Sequence, residues 1–160
     1  MNRSSNGLRN LDKEDADILT FNLQDFLKEI YEVTKSTIII FCGKEQMSEI
    51  HKFFSEKQKK GKGTVRQLVW KKTNPSPMNG QNIYLSGIEG RNKLHPTEKN
   101  HELLRELIRD NSNEGDIVFD PCCGSGAHCL VAKEENRNYI GVELKNQYYE
   151  IAKERLKNVS

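Results

Sequence analysis

The chain has 160 residues and a formal net charge of +2, which fits one domain of ordinary size, able to bury about two thirds of the surface its unfolded form exposes. Charged residues make up 30% of it and hydrophobic ones 35%, against a typical charged share of about 25%, so the core is small or shared and no global field announces a nucleic-acid partner. No apolar run approaches the ~20 residues of a membrane span, and Met1 to Asn10 has no signal-peptide core, so the expectation is a soluble cytoplasmic protein with no membrane partner.

Residues 1–21 are polar, with Ile18, Leu19 and Phe21 as a short apolar cluster, and are expected to be a tail or linker. From Asn22, a plausible N-cap, Leu23, Phe26, Leu27, Ile30 and Tyr31 recur at helical spacing. Thr37 to Cys42 is a β-branched run apolar on both faces, which predicts a strand covered by helices on each side of a parallel sheet; Gly43 stops it. Met47, Ile50, Phe53 and Phe54 predict a second helix. Lys57, Lys59, Lys60 and Lys62 follow and are expected on a connecting loop, either as a solvated turn or as a phosphate-attracting patch. Thr64 to Trp70 predicts another strand, broken by Asn74 to Pro77.

Ser76 to Lys93 is rich in Asn, Gly, Ser and Pro and reads as loop, interrupted by a short strand at Asn82 to Leu85. After Thr97, Leu103, Leu104, Leu107 and Ile108 form a helical stripe, and Gly115 ends the connection. The predicted order then runs strand Asp116 to Phe119, helix Gly126 to Glu135, strand Asn138 to Val142, and a final helix carrying Tyr148, Ile151, Ala152 and Leu156. This alternation argues for an α/β fold with a largely parallel sheet.

The segment Asp116 to Glu143 carries the most chemistry: a strand runs into Asp120-Pro121-Cys122-Cys123-Gly124-Ser125-Gly126, the loop opens a helix, and the next strand ends in an acid. Gly124 and Gly126 allow a sharp turn and close approach of a ligand, while Glu143 can accept from both hydroxyls of a ribose. An ordinary strand-to-helix turn with an unrelated acid would use the same parts. A nicotinamide-dinucleotide fold is disfavoured, because its fingerprint wants a third glycine where Cys129 stands. The cysteines, Cys42, Cys122, Cys123 and Cys129, form no Cys-x-x-Cys pair and find no histidine at zinc-ligand spacing, so they read as reduced packing residues and no metal is expected.

The Asp-Pro-x-x-Gly-Ser-Gly pattern resembles the cofactor loop of the amino-methylating DNA methyltransferases, with Cys122 where phenylalanine usually stands. His95-Pro96-Thr97-Glu98-Lys99 resembles the signature that precedes that loop in the circularly permuted beta class of these enzymes. Thr37 to Gly43 and Leu68 to Pro75 are similar to segments that follow the family's catalytic motif. The resemblance implies a three-layer Rossmann-like sheet, S-adenosylmethionine as cofactor, double-stranded DNA as partner, and transfer of methyl to the exocyclic amine of adenine or cytosine, as in restriction-modification. It implies cofactor contacts at Thr97, Lys99, Asp120, Pro121, Cys122, Gly124, Ser125, Gly126 and Glu143, with Thr97 also able to cap the next helix and Lys99 able to meet the methionine carboxylate. Lys72 and Asn74 would border the base pocket on the DNA side, as would Trp70 unless it is plain core packing.

The family grips its flipped-out base with an Asp/Asn/Ser-Pro-Pro-Tyr/Phe tetrad. Nothing from Met1 to Phe21 supplies it, Asn74-Pro75-Ser76-Pro77 lacks the paired prolines and the aromatic, and no catalytic residue is named. In the family the tetrad's strand lies mid-sheet, so its loss would leave buried backbone groups unpaired at about 1–3 kcal/mol each, against a total stability of about 5–15 kcal/mol. The sheet is therefore expected to be incomplete: the flanking strands close up, a second chain fills the slot, or the natural chain is longer. The domain reading is residues 22–160 as one methyltransferase-like domain, with 22–75 the catalytic-side remnant, 76–94 a loop replacing the target-recognition region, and 95–160 the cofactor half. The competing reading is a catalytically inactive cofactor-binding remnant.

Overall fold

The computed structural model describes residues 21–68 and 99–159, which fall into two compact units divided near residue 70. The expected strand at 82–85, the proline-broken loop at 74–77, and Trp70, Lys72, Asn74 and Thr97 lie outside the described residues.

The first unit is a helical pair. Helix α1 spans Leu23–Val33, and Asn22 caps it as its spacing predicts, its side-chain oxygen accepting from the Asp25 N–H at 3.1 Å. The stripe buries Leu27 and Ile30, and Thr34 ends the helix by returning both its hydroxyl and its N–H to the Ile30 carbonyl. Helix α2 spans Lys44–Lys59 and meets α1 through Gln24 donating to Glu49 at 2.6 Å and through Tyr31 set edge-on to Phe53, ring centroids 6.2 Å apart. The Lys57 ammonium lies 4.2 Å from the centre of the Tyr31 ring.

Two expectations are corrected here. Lys57 and Lys59 sit in the last turn of α2 and Lys60 caps it, so only Lys62 follows the helix; cations at a helix C-terminus meet the negative end of its dipole. Residues 37–42 and 64–68 form no strand. β-Branched residues favour a pleated surface only where neighbouring strands supply one, and the described elements of this unit are helices; Ile39 is left 46% exposed.

The second unit runs α3 (His101–Asn111), β1 (Ile117–Asp120), α4 (Ala127–Glu134), β2 (Asn138–Gly141) and α5 (Asn146–Lys157). Helix α3 is capped by Asn100, whose side chain accepts from the Leu103 N–H at 3.1 Å, so the capping role expected of Thr97 belongs three residues later. Leu104 and Ile108 point from α3 into the core. After α3, Gly115 turns the chain at φ +83°, where a side chain would be strained, and its N–H donates to the Asn136 carbonyl.

Strands β1 and β2 pair in parallel, Ile117 with Asn138 through Asp120 with Gly141, and α4 connects them as the crossover. Helix α4 buries Ala127, Cys129, Leu130, Val131 and Ala132, nearly its whole circumference, because it is pressed between the sheet, α3 and α5. An ion-pair network fastens α3 to the end of α4: Arg105 reaches Glu102, Glu134 and Glu135 at 2.6–2.8 Å, and Arg109 also reaches Glu135. Lys133 on α4 donates to the Leu156 carbonyl in the last turn of α5 and to the Val159 carbonyl just beyond that helix.

The architecture is thus α/β with a parallel sheet, as expected, but of two strands among the described residues. Residues alternate along it, and α4 covers one face. Ile117, Phe119 and Ile140, with Val142 just beyond β2, stay 41–64% exposed on the other, although parallel sheets are normally covered on both. That open apolar face is what an incomplete Rossmann-like sheet looks like. No helix of the described residues is long and apolar enough to cross a membrane.

Candidate functional site

The carboxyl ends of β1 and β2 lie side by side, and the glycine loop leaves one of them. Val142 donates to the Asp120 carbonyl and accepts from the Cys123 N–H, both at 2.9 Å, so the loop is tied back onto the end of β2. Gly124 at φ +53° and Gly126 at φ +77° occupy the left-handed region, which lets the chain reverse into α4 within three residues. A Cβ on Gly126 would stand 2.8 Å from the Cβ of Ala152, so the same glycine lets α5 pack against the loop. Both requirements fall on one residue.

Glu143, immediately past β2, is held by two backbone donors: the Gly124 N–H at 2.8 Å to Oε2 and the Lys145 N–H at 2.8 Å to Oε1. A carboxylate offers about four acceptor positions, so two remain for a ligand once these are filled. The loop and the acid are thereby locked as one unit.

Asp120 ends β1 with Oδ1 accepting from the Cys122 N–H at 3.0 Å and Oδ2 lying 2.8 Å from His128 Nδ1. Burial pushes the Asp120 carboxyl up, but the hydrogen bond and charge of His128, the Cys122 N–H and the charge of Lys99 outweigh it, leaving the group below the usual carboxylate range. Lys99 thus lies close enough for its charge to act at the loop. Burial first, then the charges of the Asp120 and Glu143 carboxylates, push the thiol of the exposed Cys122 up. Pro121 lies half-buried in the turn between Asp120 and Cys122.

Ser125, also expected to meet a cofactor, has its side chain engaged with α5. Its side chain is 2% exposed, and its hydroxyl and carbonyl both engage Arg155 of α5, at 3.2 and 3.1 Å. Its side chain braces the loop from behind.

The described structure therefore brings together Lys99, Asp120, Pro121, Cys122, Gly124, Ser125, Gly126 and Glu143. Thr97, Lys72 and Asn74 lie outside the described residues. Three participants escaped sequence reasoning: His128, which pairs with Asp120, Arg155, which holds Ser125, and Ala152, which needs Gly126. Their partners lie 8 to 30 positions away, at spacings that belong to no motif, so only the packing reveals them. No cluster of three or more histidine, cysteine or acidic side chains able to hold a metal occurs among the described residues.

Comparison with known proteins supplies an independent measure. Residues 78–154 match the family model of the N6/N4 methyltransferases, described as DNA methylase. The type II methyltransferase M.HpaI of Haemophilus parainfluenzae is 50% identical over 64 residues, 40% of this chain and 20% of that protein. The DNA adenine methyltransferase YhdJ of Escherichia coli K12 is 33% identical over 103 residues, 59% of this chain and 35% of that protein. Among solved structures, the M1.HpyAVI–SAM complex superimposes with a TM-score of 0.68 at 27% identity, over 88% of this chain and 86% of that one. The matched stretches thus span only a fifth to about a third of these two curated relatives.

Proposed function

We propose that the chain is a member of the DNA methylase family of N6/N4 methyltransferases, whose model residues 78–154 match, and that its second unit is the S-adenosylmethionine site of an enzyme that methylates the exocyclic amine of adenine or cytosine in DNA. One observation carries this: Glu143, fixed by the Gly124 and Lys145 N–H groups at the end of β2, keeps acceptor positions beside a glycine loop. A carboxylate so oriented fits the adjacent hydroxyls of a ribose, Gly124 carries no side chain to bar a nucleoside from the loop backbone, and Lys99 offers a cation for an α-carboxylate. Bound there, the cofactor supplies an electrophilic methyl on a sulfonium.

The chain's own part is to bind and orient. Asp120, held ionised by His128, anchors the turn through the Cys122 N–H. Cys122, its thiol pushed up by burial and by the charges of Asp120 and Glu143, presents a neutral side chain rather than a competing nucleophile. Arg155 and Ala152 hold the loop from behind through Ser125 and Gly126. The tetrad that grips the target base is then contributed by residues other than these 160, from an adjoining segment or a second chain, and Lys72 and Asn74 are the proposed DNA contacts. The cytoplasm, where bacterial DNA is accessible, is the proposed place of work.

The test is transfer of tritiated methyl from S-adenosylmethionine to unmethylated DNA. The chain alone is expected to give background incorporation, and addition of a polypeptide carrying an Asp-Pro-Pro-Tyr tetrad is expected to restore turnover. Turnover by the chain alone would refute the division of labour.

A further inference from the structure

Cys123 in the loop and Cys129 on α4 are separated by six positions, yet their sulfurs converge under β2. A Cβ built on Gly141 would lie 3.0 Å from the Cys123 sulfur and 2.7 Å from that of Cys129, so both thiols gather at one point beneath the strand. Glycine at 141 is thus what lets the strand close over two neighbouring thiols. Both are free.

We propose that Cys123 and Cys129 form a reversible dithiol–disulfide site that takes low-molecular-weight disulfides as oxidant and reports the thiol redox state to the glycine loop. The two sulfurs play different parts. Cys123 is half-buried and Cys129 is 2% exposed, so an incoming disulfide meets Cys123 first. The hydrogen bond from Cys129 pulls the Cys123 thiol below its ordinary value against the opposing effect of burial, whereas Cys129 is pushed well up by donating that bond and by burial. Cys122 is more exposed than either, but burial and the neighbouring carboxylates keep it protonated. Reactivity therefore follows the thiolate rather than the exposure.

In the first step the Cys123 thiolate attacks one sulfur of the small disulfide; the S–S bond breaks and one thiolate leaves, to be protonated by solvent. In the second, Cys129 gives its proton to solvent, its sulfur attacks the Cys123 sulfur of the mixed disulfide, and the second small thiolate leaves. The protein dithiol loses two electrons, and the small disulfide becomes two thiols.

A bonded S–S distance of about 2.05 Å is shorter than any contact between thiols, so closure must pull the Cys123 side chain toward α4. Cys123 also donates to the Val142 carbonyl and accepts from the Gly126 N–H at 2.8 Å, so the displacement is delivered to the loop that Glu143 holds. The thiol chemistry stands without the cofactor reading; only this consequence for binding rests on it.

The experiment incubates the full chain with increasing ratios of oxidised to reduced glutathione, blocks remaining thiols by alkylation, and maps the peptides by mass spectrometry. The expected product is a Cys123–Cys129 disulfide that dithiothreitol reverses, with Cys42 and Cys122 alkylated. Cys129→Ser, checked for an unchanged circular dichroism spectrum, should stop at a glutathione adduct on Cys123. Adduct first on Cys122, or alkylation of Cys123 and Cys129 at the highest ratio, would overturn the proposal. S-adenosylmethionine affinity of the oxidised chain should fall about tenfold, within the usual range of coupling between sites. Disulfide formation with unchanged affinity would overturn the link to the loop; failure of the reduced chain to bind would instead count against the cofactor reading.

Discussion

The two units solve the same packing problem with unequal means. In residues 99–159, a buried helix, two paired strands and two flanking helices converge, and Leu104, Ile108, Cys129, Leu130, Val131 and Ala152 are buried. In residues 21–68, two helices share one seam; only Leu27 and Ile30 are buried, and α2 buries nothing fully. The difference does not lie in hydrophobicity, since Thr37 to Cys42 is as apolar as β1. It lies in pairing: Ile117–Asp120 has β2 alongside and α4 across it, whereas the 37–42 segment enters no sheet.

The sharpest way to break the contrast is to cut each unit at a helix. Leu104→Ala should destabilise the chain by about 2–5 kcal/mol through transfer and cavity terms, whereas Met47→Ala, at 45% exposure on α2, should stay within about 0.5 kcal/mol; urea unfolding reads both. Equal losses would mean that the two units share their stability. Gly126→Ala comes next. Its left-handed φ and the 2.8 Å approach of Ala152 predict a cost of about 1–3 kcal/mol in thermal unfolding, and Ala152→Gly in the same chain should return only the steric part.

A smaller effect belongs to the acid limb. Asp120 is held below its unfolded value of about 3.9, so the stability it contributes is complete above that pH and is lost as pH falls through the lower folded value. Asp120→Asn should therefore flatten the loss of stability below about pH 4 and leave His128 without its carboxylate, as urea midpoints between pH 2 and 6 would record.

Sequence periodicity reached the helices almost residue by residue, because an amphipathic stripe and an asparagine cap are local: Asn22 and the Leu23 to Tyr31 stripe give α1 directly. The β1–α4–β2 core was legible for a related reason, since Asp120 to Gly126 carries its own turn chemistry and β1 shifted by only one residue. Strands were less legible. Thr37 to Cys42 has strand composition, but a strand exists only with a neighbour, and neighbours are not written in the segment itself. The cap on α3 moved from Thr97 to Asn100 because both residues can cap and only the start of the Leu104 and Ile108 stripe decides between them. In the site, residues on the motif were found and those braced against it, His128, Ala152 and Arg155, were not.

The central claim is that the loop after β1 and the acid after β2 form one cofactor cradle. Isothermal titration of the reduced chain with S-adenosylmethionine, repeated on Glu143→Ala, tests it most directly. Saturable binding that weakens by about 1–3 kcal/mol in the variant, with the circular dichroism spectrum retained, is the predicted result. Equal affinity in the two chains, or saturation of the same site by a nicotinamide dinucleotide, would contradict it.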